Sequence, residues 1–140
     1  MASQIISEYI NGFSKNKIIF HRELLGDVCT IDIGDLLSNK LYGQNSEARL
    51  TLITNSALEE ILDSNISDNP TYGRCLSIKN IGILLEPDLK MNLIKIFEKY
   101  SNNNSLFVQW DGDIDEQNLY FLTKEKGIKI TINEISHIVI

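Results

Sequence analysis

The carboxylates Asp111, Asp113, Asp115 and Glu116 fall within one short stretch, the kind of spacing by which a calcium loop gathers oxygen ligands. Such a loop also requires glycine at its sixth position and glutamate at its twelfth. Counted from Asp111, those places hold Glu116 and Leu122. A solvated hairpin turn is the expected structure, and a metal-dependent enzyme using the turn around Asp113 is the alternative. His21 and His137 could each serve a nucleophile, but no G-x-S-x-G elbow or similar motif accompanies them, so structural roles are expected. Cys29 and Cys75 lack C-x-x-C spacing and sit in apolar, strand-like runs. That predicts two buried, reduced thiols and no zinc site. Trp110, the single tryptophan, ends an apolar strand, where packing or an interface is a better use than base stacking. Glu59 and Glu60 are adjacent on a predicted helix, do not face each other, and read as a wet surface.

Phosphate chemistry has its own signature, and it is missing. After a first strand, Lys17 to His21, a phosphate-binding loop would place G-x-x-x-x-G-K-[ST], so that bare N–H groups face the phosphates and a lysine neutralises them. Here Gly26 is the single glycine between Phe20 and Ile33, no lysine follows it, and Leu24 and Leu25 fill the span. A later strand ends at Lys79, where a nucleotide hydrolase would carry a magnesium-binding carboxylate. No cofactor and no metal ligand set is predicted.

These residues need a frame, and the hydrophobic pattern supplies one. Ala2, Ile5, Ile6, Tyr9, Ile10 and Phe13 repeat at three and four, predicting a helix over 2–14 with one apolar face and Ser3 as its cap. Ile6, Tyr9, Ile10 and Phe13, with Trp110, are the candidate interaction residues. Strands are expected at 17–21 and 27–33, then a helical turn over 35–41. A helix follows from a Ser46 cap to about Leu62, with Leu50, Ile53, Ala57, Leu58, Ile61 and Leu62 inward. Residues 63–73, with Pro70 and Gly73, read as a surface loop. A strand through Cys75, Leu76 and Ile78 leads to a helix opened by Glu86-Pro87-Asp88 and carrying Leu89, Leu93, Ile96, Phe97 and Tyr100. Another strand runs from Leu106 to Trp110. Beyond it, Asp111-Gly112 is a turn, 118–122 and 128–132 read as strands, and 135–140 as a final edge strand. This alternation predicts one α/β domain over 1–140, three-layered, with a mostly parallel central sheet and antiparallel strands at its C-terminal side.

A chain of 140 residues can bury a core without disulfides. No run is apolar and long enough to span a membrane, and no signal peptide is read at the start, so a cytoplasmic protein is expected. The net charge of -6 disfavours nucleic acid. Lys15 and Lys17, and Lys124, Lys126 and Lys129, are interleaved with other residues rather than gathered in a patch.

The order Asn80-Ile81, Leu84-Leu85-Glu86-Pro87, Leu89-Lys90, Ser101, Asn103 and Trp110-Asp111-Gly112 resembles the second half of the small P-loop protein of bacteriophage-exclusion (BREX) defence systems. Residues 31–41 resemble the strand and helix that precede it there. The resemblance implies a P-loop NTPase-like fold, while the departures at 21–28 and Lys79 imply a degenerate nucleotide site and no enzyme. It implies an accessory or scaffold subunit of a bacterial antiviral complex, meeting other protein subunits, a larger ATPase or copies of itself. The alternatives are the metal-dependent enzyme near Asp113 and a nucleic-acid-binding adaptor.

Overall fold

The computed structural model describes residues 2–41, 50–85, 89, 91–115, 117–121 and 128–140. Its frame is a mostly parallel sheet. The first helix, α1 (Ala2–Ile10), leads into β1 (Ile18–His21), whose residues are all buried. A helix-free connection over 22–29 reaches β2 (Thr30–Asp32), and α2 (Ile33–Leu41) follows at once. Then come α3 (Leu50–Asn65), β3 (Ser67–Asn69), β4 (Gly73–Lys79), a 3-10 turn (Gly82–Leu85), α4 (Leu93–Ser101) and β5 (Ser105–Gln109). The strands β6 (Asp113–Ile114), β7 (Asn118–Phe121), β8 (Ile128–Thr131) and β9 (Ile138–Val139) complete the order.

The central sheet runs β2-β4-β5-β1-β9, with all these neighbours parallel, and β3 pairs antiparallel with the first half of β4. The expected antiparallel strands are present, but β6, β7 and β8 form a sheet of their own rather than extending the central one. Residues alternate faces along a strand. One face, with Ile18, Phe20, Leu76, Ile78, Leu106 and Val108, packs with Leu58, Ile61 and Leu62 of α3 and Leu93, Phe97 and Tyr100 of α4. The other face, with Ile19, Cys75 and Phe107, is covered by Ile6 of α1, Val28 of the connection and Tyr72, with Tyr9, Ile10 and Leu25 packed around them. The two faces are thus covered unequally: three helices on one, where Ile33 and Leu37 of α2 join α3 and α4, and a short helix and an irregular segment on the other.

Several expectations are corrected. The strand over 27–33 shrinks to Thr30–Asp32, because Ile33 already begins α2; Asp32 accepts from the Asp35 N–H at 2.9 Å and so caps that helix. Cys29 is exposed, not buried, since it lies before the strand; Cys75 is buried as expected. The loop over 63–73 is largely structured: α3 continues to Asn65, and β3 with β4 makes a hairpin whose turn is held by Asn69 Oδ1 accepting from the N–H groups of Thr71 and Tyr72. The expected opening at Glu86-Pro87-Asp88 lies outside the described residues; among those described, α4 begins at Leu93, where Asn92 accepts from the Lys95 N–H at 3.2 Å. The expected Ser46 cap also lies outside them. No described helix is long and apolar enough to cross a membrane.

Candidate functional site

In an open α/β sheet, ligands bind outside the carboxyl ends of the strands, where neighbouring strands send the chain in opposite directions. Here that point lies between β1 and β5. From β1 the chain travels toward β2 on one edge, and from β5 it travels to β9 on the other. His21 and Gln109 are register partners at those two ends, and Trp110 continues the pairing through its N–H to the His21 carbonyl at 2.8 Å. A cavity of about 250 Å³ opens beside them, lined by Asn80, Ile81, Gly82, Gln109, Trp110, Asp111, Gly112 and Phe121. A smaller one of about 90 Å³ lies on the β1 side, lined by His21, Arg22, Trp110, Ile114, Val139 and Ile140.

The walls are held by close packing. Trp110 is 3% exposed and its indole Nε1–H is shared between the carbonyls of Asp113 (3.1 Å) and Tyr120 (3.2 Å). That ties β5 to the antiparallel sheet. A Cβ on Gly112 would stand 2.0 Å from the Tyr120 carbonyl oxygen, and one on Gly82 would stand 2.7 Å from the Phe121 ring. Asn80 has φ 56, a left-handed backbone that asparagine tolerates better than most residues. Its amide donates to Asp32 Oδ1 at 2.8 Å. The Asp35 N–H first, then the Asn80 amide, hold the Asp32 carboxyl below the usual aspartate range. Lys79, whose register partner is Asp32, adds to that effect.

The chemistry-bearing residues scatter. Asp115 is spent on its own turn: one carboxylate oxygen accepts from the N–H groups of Gln117 and Asn118, and the other from the Tyr120 hydroxyl at 2.8 Å. Asp113 meets Arg22 at 3.4 Å, and the Arg22 guanidinium also donates to the Gly112 carbonyl at 2.8 Å. Glu116 lies outside the described residues. No group of three or more His, Cys, Asp or Glu residues among those described could hold a metal ion. His21 and His137 each set Nδ1 against a backbone carbonyl, Glu23 at 2.7 Å and Ile135 at 2.8 Å. A carbonyl only accepts, so the proton on His21 is at Nδ1 and Nε2 is a bare acceptor. Burial pushes the His21 pKa down, against the raising effect of the Glu23 carbonyl. Burial likewise pushes the Cys75 thiol up. The Tyr72 hydroxyl is pushed up to about 12 by burial and by its 2.6 Å bond to Asp27.

Of the five candidate interaction residues, Ile6 is fully buried and Trp110 nearly so; both serve the interior. Tyr9 and Ile10 are half-buried against the second face, and the Tyr9 hydroxyl donates to the Asn16 carbonyl at 2.9 Å. Phe13 lies past the end of α1 and is fully exposed, with Ile5 half exposed on the helix itself. Sequence reasoning missed Gln109: a polar residue at a strand end carries no motif.

A stretch of 51 residues, 36% of the chain, is 35% identical to part of the RNA-directed RNA polymerase L of Crimean-Congo hemorrhagic fever virus, of which it covers 1%. The chain therefore spans a very small part of that relative's length. No family model matches the chain. No solved structure matches it either.

Proposed function

We propose that this chain is a non-catalytic accessory or scaffold subunit of a bacterial multi-protein complex, an adaptor between proteins, with the shape of a P-loop domain and a degenerate nucleotide site. One observation carries the reading. The segment over 22–29, which would have to wrap an anion, lies against the second face of the sheet instead, with Val28 buried and Leu25 packed beside it. Its N–H groups are not gathered into a cradle by glycines, and the strand two places away ends in Lys79, beside Asp32. A magnesium–triphosphate pair needs the reverse: bare backbone and a lysine at the first strand, a carboxylate at the other. The residues present do not fit it. The exposed apolar side chains Ile5, Phe13 and Leu24 lie on α1 and on segments that precede and follow β1, and would carry protein contacts. The BREX resemblance suggests anti-phage defence as the setting and a larger ATPase as one partner.

The test is co-purification of the tagged chain with the products of its neighbouring genes, with mass photometry of the isolated protein and titration with a fluorescent ATP analogue. Capture of a defined partner and no saturable nucleotide binding are expected. A monodisperse monomer that captures nothing would count against the adaptor role. Saturable ATP binding would count against the degenerate site.

A further inference from the structure

Two buried acceptors stand side by side at the point where the sheet reverses its winding. His21 is 3% exposed and its Nε2 has no hydrogen-bond partner; Gln109 Oε1, on the register-paired residue, has none either. The Gln109 amide nitrogen is directed to the Arg22 carbonyl at 3.3 Å, which leaves the oxygen without a donor. Buried polar groups are nearly always satisfied, so two neighbouring acceptors ask for a donor. The larger cavity is lined by Gln109, while His21 lines the smaller one; to the Gln109 oxygen the larger cavity adds a second acceptor, the exposed carboxylate of Asp111, against the apolar walls of Ile81 and Phe121. Acceptors and apolar surface together repel a phosphate and suit a donor-rich cation.

From this we infer that the cavity between Asn80 and Asp111 is a docking site for an arginine side chain of a partner protein. The inference rests on the adaptor reading and gives it a partner chemistry. A guanidinium offers five N–H donors and no acceptor, and its flat apolar faces suit the Ile81 and Phe121 walls. The same turn already holds one guanidinium, that of Arg22 on the Gly112 carbonyl and Asp113. The charge of -6 favours a basic partner. Asp111 makes the ion pair, and rotation of the terminal Gln109 amide, a soft torsion, presents its oxygen to the incoming N–H groups.

Because Trp110 is the single tryptophan and lines the cavity, its indole N–H resonance reports occupancy directly. The full chain is titrated with N-acetyl-arginine amide, with the neutral N-acetyl-citrulline amide, with agmatine, with inorganic phosphate, and with a Gly-Arg-Gly peptide. A saturable shift with the arginine amide and the peptide is expected, weakened at least about tenfold by Asp111→Asn and by Gln109→Leu. Citrulline amide and phosphate should leave the resonance in place. No shift with arginine amide, an equal shift with citrulline amide, or a response to phosphate would overturn the site. Agmatine binding more tightly than the peptide would overturn the protein partner in favour of a free amine. Asp111 is exposed, so Asp111→Asn is expected to keep the wild-type urea midpoint. If that variant captures partners as well as wild type, the site falls and the adaptor reading stands. If wild type captures none, it is the adaptor reading that falls.

Discussion

Gly112 marks a place where the backbone of one sheet approaches the other too closely for any side chain. Its Cβ would meet the Tyr120 carbonyl oxygen at 2.0 Å and Trp110 Nε1 at 3.0 Å, and neither is the free end of a flexible chain. Gly112→Ala should therefore lower stability by about 3 kcal/mol in a urea unfolding series, at unchanged slope. Gly26→Ala meets nothing within 4 Å and should change it by less than about 0.5 kcal/mol. Two groups, one buried and one hydrogen-bonded, contribute to the response to acid. The His21 pKa is lowered from the ordinary 6.5 by burial, so the unfolded chain binds its proton first. The stability that His21 contributes is complete above 6.5, begins to fall as pH drops through it, and stops falling at the lower folded value. Asp32 acts in the same direction in a lower window. Its folded pKa is depressed below 3.8 by the Asp35 N–H and the Asn80 amide, so its contribution is present above 3.8 and is lost as pH falls through the folded value. Urea midpoints followed from pH 8 to pH 3 should flatten in the upper window in His21→Phe and in the lower one in Asp32→Asn; unchanged profiles would refute the assignment.

At the scale of elements, local chemistry decided more boundaries than hydrophobic period did. A strand through Cys75, Leu76 and Ile78 and one through Leu106 and Val108 were legible because unbroken apolar runs bounded by turn formers have few other uses. The start of α4 was not. The pattern placed Leu89 and Leu93 on one helix, yet α4 begins at Leu93, after Asn92, whose side chain accepts from Lys95 N; Leu93 and Phe97 are buried in the core. Asn92→Ala should cost about 1 kcal/mol and raise amide exchange in the first turn of α4 alone, since that bond satisfies an otherwise orphaned N–H. The strand β3 has no apolar residue at all, Ser67-Asp68-Asn69, and exists because the Asn69 turn folds it onto β4. Such pairing is a tertiary fact that a local pattern does not contain. The antiparallel strands were legible by their alternation, but not that, among the described residues, they form a sheet of their own. The candidate site was legible in part: Trp110-Asp111-Gly112 stood out as a strand end with a turn, whereas His21 and Gln109 become neighbours only through the β1–β5 register.

The whole molecule shows how the sheet is terminated at its flanks. One flank ends in the three-residue β2 and β3, the other in the two-residue β9. Short edge strands offer little backbone for another chain to extend, which limits edge-to-edge association. The protection at the β9 flank is thin, because all four residues of β1 behind it are buried and apolar or, for His21, without a partner at Nε2. The link is small: Ile19 and Phe20 pair with Ile138 and Val139, and Ile140 donates to the Phe20 carbonyl at 3.0 Å. Removing Ile138 to Ile140 would bare the β1 edge along with the side chains of Ile19 and Phe20, a buried row with strong strand preference and no charge to block pairing. The truncated chain should thus associate in proportion to concentration, seen by light scattering after size-exclusion chromatography, while the full chain at the same concentrations should not gain mass by that route. Replacing Phe20 by lysine in the truncated chain would abolish folding and prove nothing, so the informative control is Val139→Lys in the full chain. That half-exposed position keeps the pairing and adds a charge at the outermost edge, so any residual edge association should fall. A truncated chain that remained as dispersed as the full one would mean that β9 does not guard the sheet, and that the β1 edge is covered by something else.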